Sequence, residues 1–176
     1  MASTQSWSEF NSVGGTATET TDMTYMNWMS ADLPDTSGVI YQSHPITAGN
    51  SSYTKYQALK FAGTFDQLSA LTFSVNNTAP SGTTLNGSVV TSWVAPVATA
   101  NTESGSLSAP VSSGFGTGSY TPGTSPTTGP FSSAGGSSTT TNPIYSNAFR
   151  TQLQVPGGQG PGDISTVTIT AGWTES

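Results

Sequence analysis

Charged residues are scarce in this sequence. Three Lys or Arg and nine Asp or Glu occur among 176 residues, so charged residues make up 7% of the chain, against about 25% in ordinary soluble domains. With one His and no Cys, the chain has few side chains for acid–base, nucleophilic or metal chemistry. Disulfides and Cys-bound zinc are excluded. The composition therefore predicts a protein that acts by surface contact, without catalytic residues, cofactor or metal.

The small number of basic residues also restricts the partners. The net charge is −6, and Lys55, Lys60 and Arg150 are too few to displace the counterions of a nucleic acid or to hold an anionic membrane. No apolar run approaches the roughly 18 residues of a membrane-spanning helix. The first residues, MASTQSWSEF, lack the basic and apolar regions of a secretory signal. We expect neither nucleic acid nor membrane as a partner.

Ser, Thr, Asn, Gln and Gly take the place of the missing charges. These residues suit turns and uncharged hydrogen-bonding surfaces. A free monomer with so little charge is only marginally soluble, which favours a surface that is covered in a larger assembly. The alternative is a soluble, hydroxyl-rich β-domain that stands alone.

Several stretches alternate apolar and polar residues in the manner of short strands, separated by Gly/Pro-rich turns such as residues 156–163. This pattern predicts an all-β fold, an antiparallel β-sandwich of jelly-roll or Ig-like type, spanning residues 21–176. The apolar positions that alternate fall in four groups: Leu71, Phe73 and Val75; Leu85, Val89 and Trp93; Tyr145, Phe149, Leu153 and Val155; and Val167, Ile169, Ala171 and Trp173.

Three segments depart from this strand pattern. Residues 1–20 are polar with scattered apolar residues and are predicted to form an N-terminal arm. Residues 21–33 fit a short helix and a strand equally well, because short runs stay ambiguous. Residues 98–141 are a low-complexity insertion of Ser, Thr, Gly, Pro and Ala. The insertion has too few apolar groups to offset its own ordering entropy, so we expect neighbouring subunits to hold it.

The candidate catalytic residues each have a more ordinary interpretation. His44 is the sole imidazole and lies in a turn before Pro45, and no G-x-S-x-G nucleophile motif occurs. Asp32 and Asp35 flank Leu33-Pro34, where paired carboxylates serve glycoside hydrolysis or Ca²⁺ binding only in a suitable cleft or loop. A helix N-cap or Asx-turn is far commoner beside proline, and the same holds for Asp163. We therefore predict no catalytic, cofactor or metal site.

Aromatic residues leave one binding function open. Exposed aromatic rings stack on sugars, so a glycan-binding module is an alternative. The alternating pattern places Trp93 and Trp173 with the apolar face, which favours a core role for both. The sequence supplies four Trp and six Tyr, and the remaining tryptophans are Trp7 and Trp28.

The order of several blocks resembles a family of small bacteriophage virion proteins. The blocks are NWMSADLPDTS at residues 27–37 followed by Tyr41 and HPI at 44–46, NSSYTKY at 50–56 with KFAGTFDQL at 60–68, WVAPVAT at 93–99, and TQLQV at 151–155. The resemblance covers about residues 25–97 and 144–176. Two departures stand out: near its end the sequence reads Trp173-Thr174-Glu175 where the family tends to close on an aromatic-Asp-Glu sequence, and the 98–141 segment is expanded.

The resemblance implies a structural role in the virion of a tailed phage, assembled in the host cytoplasm. We expect a capsid decoration or cement protein that contacts the major capsid protein or other virion proteins and forms a homo-oligomer within the particle. A neck or tail component is the second possibility, and a receptor- or glycan-binding surface module is the third. The aromatic anchors expected in the arm and the insertion are Trp7, Phe10, Phe115, Tyr120 and Phe131.

Overall fold

The computed structural model of the protein describes residues 3–13, 16–63, 68–76, 83–90, 93–99, 111–112, 144–160 and 168–175. These residues are mostly strand, and no α-helix occurs among them. A 3₁₀ turn, Ile40–Ser43, lies in the irregular segment between the second and third strands. The predicted all-β class is confirmed. In chain order the strands are β1 (Thr4–Val13), β2 (Thr16–Thr20), β3 (Lys55–Ala62), β4 (Leu68–Asn76), β5 (Thr84–Val90), β6 (Val111–Ser112), β7 (Ile144–Tyr145), β8 (Ala148–Gln154) and β9 (Thr168–Glu175).

The larger of two sheets is built around β3. Five of its strands follow the order β2-β1-β3-β8-β5, and the short β7 also pairs with β3. Every pairing is antiparallel. β1 lies along β3 with Trp7 opposite Leu59 and Phe10 opposite Tyr56. Since β1 and β8 flank it, β3 is covered along both edges, and all but two of its eight residues are buried.

Residues 1–20, predicted to form an arm, contain two strands of this sheet instead. Thr4–Val13 pairs with both β3 and Thr16–Thr20. The arm interpretation failed because the inward-facing residues of β1 are largely polar. Ser8 and Glu9 are fully buried beside Phe10, so the polar composition concealed a strand that is covered on both faces.

The smaller sheet has the order β6-β4-β9. β4 and β9 run antiparallel from Leu68 opposite Glu175 to Asn76 opposite Thr168, with an irregularity between Ser69 and Thr72. Along β9 exposed and half-buried residues alternate strictly. The alternation predicted for Ile169, Ala171 and Trp173 is therefore confirmed, and the same three side chains bring the two sheets into contact.

One core cluster lies on the face of the larger sheet that meets β9. Its buried members are Leu59 and Phe61 of β3, Leu85 of β5, and Phe149 and Leu153 of β8. The Phe61 and Trp173 rings meet edge to face with centroids 5.4 Å apart. Such aromatic pairs add about 0.5–1.5 kcal/mol beyond the burial of their area. The half-buried side chains packed on this cluster are Trp7, Trp28, Ile46, Val89, Val155, Ile169, Ala171 and Trp173.

A second cluster lies on the opposite face, because alternate residues of β3 point the other way. Phe10, Tyr56, Ala58 and Ala148 form it, and the Trp93 ring lies 4.9 Å from that of Tyr56. Trp93 was expected to share a face with Leu85 and Val89. It packs on the other face, because β5 ends at Val90 and the period of two does not continue past the end of the strand.

The predictions for residues 21–33 and for the 98–141 insertion have different outcomes from each other. Residues 21–33 form neither the helix nor the strand that their pattern allowed, since their backbone is irregular. Within the 98–141 insertion only residues 98–99 and 111–112 are described, the latter as β6. The expected anchors Phe115, Tyr120 and Phe131 lie outside the described residues.

Truncating the aromatic side chain at the meeting point of the two sheets should destabilise the fold strongly. Phe61 has no exposed surface, and Phe→Ala at such sites costs about 3–5 kcal/mol. We expect the Phe61→Ala variant to show a loss of that size in urea denaturation. Val94→Ala is the control, since Val94 is 56% exposed and should change stability by no more than about 0.5 kcal/mol. Equal losses for the two variants would contradict this assignment of the core.

Candidate contact surface

The irregular segment of residues 21–46 is hydrogen-bonded to the larger sheet and its flanking chain at several points. Met23 N donates to the Trp7 carbonyl at 2.9 Å, and Tyr53 N donates to the Met29 carbonyl at 3.1 Å. The Trp28 indole N–H donates to Thr151 Oγ1 at 3.0 Å. The Met23 and Met29 side chains are both buried. A segment without regular structure therefore has fixed positions along its length.

A single buried carboxylate organises the outer part of this segment. Asp35 has no exposed surface, and its Oδ1 accepts from Ser37 N at 3.3 Å, Gly38 N at 2.8 Å and Ile40 N at 3.2 Å. Its Oδ2 accepts from Asn27 Nδ2 at 2.7 Å. We call residues 35–41, which wrap around this carboxylate, the Asp35 loop. Carboxylates that accept several backbone N–H bonds hold a loop in one conformation.

Val39 of the Asp35 loop and the nearby Tyr25 present large apolar side chains to solvent. Tyr25 is 49% and Val39 54% exposed. Gly38, between Asp35 and Val39, has a φ of +74°, and a Cβ placed there would lie 3.1 Å from ring atoms of Tyr25. A side chain at this position would be strained by the backbone and would crowd the Tyr25 ring, so glycine is favoured here. We call Tyr25, Val39 and the Asp35 loop the Tyr25 surface.

A second exposed apolar pair lies on the opposite face of the larger sheet. Val94 is 56% and Val97 36% exposed. Their segment, residues 93–99, is tied to the chain before β3, because Thr54 N donates to the Val97 carbonyl at 2.9 Å and Val97 N donates to Thr54 Oγ1 at 3.2 Å. Gln152 Nε2 adds a hydrogen bond to the Thr99 carbonyl at 3.0 Å.

The charged side chains that the structure describes form hydrogen bonds or ion pairs within the molecule. Lys55 Nζ lies 2.7 Å from Glu9 Oε1, with both side chains fully buried. Lys60 and Glu19 form a looser pair at 3.6 Å on the other face. The Glu175 carboxylate accepts from Ser3, and these hydrogen bonds lower the pKa of Glu175. Charge in this molecule therefore fixes strands and loops, while the exposed surface is mainly neutral.

The residues singled out as possible catalytic groups have structural roles where they are described. Asp32 Oδ1 accepts from Asn11 Nδ2 and its Oδ2 from Ser12 N, both at 2.8 Å, so Asp32 holds the segment against β1. Asp35 accepts hydrogen bonds from N–H groups two and three residues on, as an Asx-turn does. His44 ends the 3₁₀ turn, where its N–H donates to the Tyr41 carbonyl and its carbonyl accepts from Ser30 N. Asp163 lies outside the described residues.

The described part of the chain lacks two further features. No group of three or more His, Asp or Glu side chains in these ranges is arranged to hold a metal ion. No helix within them is long and apolar enough to cross a membrane.

The buried Glu9–Lys55 pair is not among the features predicted from the sequence, where Lys55 is considered only as one of three basic residues. A signal was present, because Lys55 stands four and six residues before Leu59 and Phe61 and therefore shares their face of β3. A lysine in phase with core residues needs a buried partner, but its identity depends on how β1 pairs with β3.

Comparison with known proteins finds no matching family model, no curated relative and no similar solved structure. The function therefore has to be argued from the contacts described above.

Removing the charge at the centre of the Asp35 loop should loosen that loop in a pH-dependent way. Although burial opposes ionisation, hydrogen bonds from Asn27 and from the backbone N–H groups of Ile40, Tyr41 and Gly38 lower the pKa of Asp35. A carboxyl whose pKa is lowered on folding stabilises the fold above its unfolded pKa, and that contribution is lost as pH falls through the folded pKa. We expect Asp35→Asn to lose about 1.5–3 kcal/mol at neutral pH, and the difference from wild type to shrink as pH falls below about 4.

The matched control is Asp22→Asn. Asp22 is exposed, and its Oδ2 accepts a long hydrogen bond of 3.3 Å from Thr21 Oγ1. Its positive φ of 57° is one that Asn also tolerates. This variant should follow the wild-type denaturation curve at every pH. A pH-independent loss in Asp35→Asn would show that the carboxylate does not act through its charge.

Proposed function

We propose that this protein is a structural component of a tailed-bacteriophage virion, namely a capsid decoration or cement protein. It would stabilise the shell by contacts with the major capsid protein and with other copies of itself. One support is the order of sequence blocks, which resembles that of small phage virion proteins. The other is that the described charged side chains form bonds within the molecule, while apolar side chains are exposed on segments that hydrogen bonds hold in place.

The observation that carries this proposal is the Tyr25 surface. Tyr25 and Val39 expose large apolar areas. Val39 belongs to the loop that Asp35 holds in one conformation, and Tyr25 lies next to that loop. Tyrosine is enriched among the residues that dominate interface energies. A preorganised loop also loses little further entropy when it binds. An exposed, rigid, uncharged patch is therefore suited to a permanent contact with another subunit.

We further infer that the two sheets form the two layers of an antiparallel β-sandwich, of jelly-roll or Ig-like type. Support comes from the packing of Ile169, Ala171 and Trp173 of β9 on the cluster around Phe61, and from the antiparallel pairing within both sheets. A sandwich is a rigid body on which fastened loops can be presented to neighbours.

Two other roles remain as alternatives within the same proposal. A neck or tail location would use the same uncharged contacts at a different place in the particle. A receptor- or glycan-binding module is favoured by one specific observation, the half-exposed Tyr25 ring, since aromatic rings stack on sugars. A glycan array probed with the purified protein separates this alternative, because a decoration protein should give no signal on it.

The contact role predicts binding that depends on Tyr25 and Val39. The test uses particles of the parent phage that lack this protein, to which purified protein is added back and its occupancy measured. Tyr25→Ser combined with Val39→Ser should weaken binding at least about 30-fold, since truncating an interface hot spot costs about 2 kcal/mol or more. Val94→Ser is the matched control for exposed apolar area and should leave occupancy unchanged. Full occupancy by the double variant would contradict the role of the Tyr25 surface.

The same add-back assay predicts little dependence on salt. Interactions between exposed charges are screened as ionic strength rises, but few such charges are available here. Occupancy should change no more than a few-fold between low and molar salt. Release of the protein in molar salt would count against an uncharged interface.

A further inference from the structure

An amine, an amide and a carboxyl group meet in the interior of the larger sheet. Lys55 of β3 and Glu9 of β1 have no exposed surface, and Asn11 of β1 is 4% exposed. Lys55 Nζ donates to Glu9 Oε1 at 2.7 Å and also to the Leu33 carbonyl. The three side chains share one face of the sheet, because Glu9 and Asn11 are two residues apart on one strand and the register of β1 and β3, continued by one residue, sets Asn11 opposite Lys55.

The amine and the amide share one acceptor atom. Asn11 Nδ2 donates to Glu9 Oε1 at 3.1 Å, the same oxygen that Lys55 Nζ contacts, and its second hydrogen goes to Asp32 Oδ1 at 2.8 Å. The orientation of the amide is therefore fixed, since exchanging its oxygen and nitrogen would lose both hydrogen bonds. Lys55 Nζ and Asn11 Nδ2 therefore converge on one buried oxygen, Glu9 Oε1.

Two oxygens in this cluster have no hydrogen-bond partner, namely Glu9 Oε2 and Asn11 Oδ1. Both are acceptors when Glu9 is ionised, so neither can satisfy the other. A proton on Glu9 Oε2 would turn that oxygen from an acceptor into a donor, and Asn11 Oδ1 is an acceptor without a partner in the same cluster. Buried polar atoms without partners are rare and call for an explanation, and a neutral Glu9 supplies one.

The surroundings of Glu9 favour the uncharged form. Burial raises the pKa of Glu9, and the nearby Asp32 carboxylate raises it further, while Lys55 opposes both. Transfer of the ammonium proton to the carboxylate converts the buried ion pair into an uncharged amine and an uncharged acid, which removes the desolvation cost of two charges. An uncharged amine is a nucleophile, and a hydrogen bond from the acid polarises the Asn11 carbonyl.

We propose that Lys55 and Asn11 join in an intramolecular isopeptide bond, with Glu9 as the acid that promotes it. The lone pair of Lys55 Nζ attacks Asn11 Cγ, and the carbonyl electron pair moves to Oδ1, where the Glu9 acid stabilises it. Glu9 Oε1, which contacts both nitrogens, takes a proton from Nζ and passes it to Nδ2. The electron pair on Oδ1 re-forms the carbonyl, the Cγ–Nδ2 bond breaks, and ammonia leaves. One amine and one primary amide become one secondary amide and ammonia, so atoms balance and no oxidant or other co-reactant is needed.

This bond would tie β1 to β3 covalently in a chain that has no Cys for disulfides. Asp32 acts as a positioning residue, because it accepts from the nitrogen that leaves. The inference goes beyond the proposed virion role and does not rest on it, since the cluster is internal and complete within one chain.

The test is the mass of the full-length protein under denaturing conditions, followed by trypsin digestion. Lys55, Lys60 and Arg150 are the only Lys and Arg residues, so trypsin should cut an uncrosslinked chain after each of them. The crosslinked chain should be lighter by one ammonia after incubation at neutral pH. It should also resist cleavage after Lys55 and yield residues 1–60 as one internally crosslinked peptide that carries the whole mass deficit.

Variants separate this bond from other sources of ammonia loss. Glu9→Gln, Lys55→Met and Asn11→Ala should each have the full calculated mass, whereas Lys60→Gln, the matched lysine control on the same strand, should keep the deficit. If the Lys55 or Glu9 variants do not fold, the wild-type protein alone decides. A full wild-type mass, cleavage after Lys55, or a covalent dimer in place of the internal deficit would each overturn the proposal.

Discussion

Moving a charged side chain from water into a protein interior costs several kcal/mol per ion, and the larger sheet contains a buried pair. Glu9 of β1 and Lys55 of β3 have no exposed surface and meet at 2.7 Å. Removing one member of such a pair costs about 3–5 kcal/mol because the other is left without its partner. The Leu33 carbonyl also accepts from Lys55, so the same amine fastens the segment that carries the Tyr25 surface. Lys55 thus contributes both to the joining of β1 and β3 and to the placement of the segment that follows β2.

The scarcity of charge has a structural meaning once each described charge is located. Glu9 and Lys55 join two strands, Asp35 holds its own loop, and Asp32 ties the segment of residues 21–46 to β1. Charges used in this way contribute little to solubility, and the exposed surface is left to hydroxyl, amide and apolar groups. Such a surface favours close contact over long-range electrostatic attraction, because attraction between proteins at a distance needs uncompensated charge.

Local patterns in the sequence predicted the strands where residues alternate between core and solvent. This holds for β9, whose Ile169, Ala171 and Trp173 face the core. The Asx-turn at Asp35 is also predicted from a local pattern, the proline beside the aspartate. Strand β1 is not evident in the sequence because its buried Ser8 and Glu9 are polar, and polar residues predict exposure. The partners of Glu9 and Asp35 depend on register and on loop path, which are long-range properties that a local pattern does not encode. The role proposed for the Tyr25 surface likewise involves a partner that no local pattern identifies.

The central claim is that this protein acts through an uncharged surface held in place by internal charges. A cryo-electron-microscopy reconstruction of the assembled phage particle tests it most directly, because it locates the chain and its neighbours together. The account predicts the protein on the capsid shell, with Tyr25 and Val39 buried against a neighbouring subunit and few ion pairs across the interface. Tyr25 and Val39 facing solvent, or an interface held mainly by Lys, Arg, Asp and Glu, would contradict it.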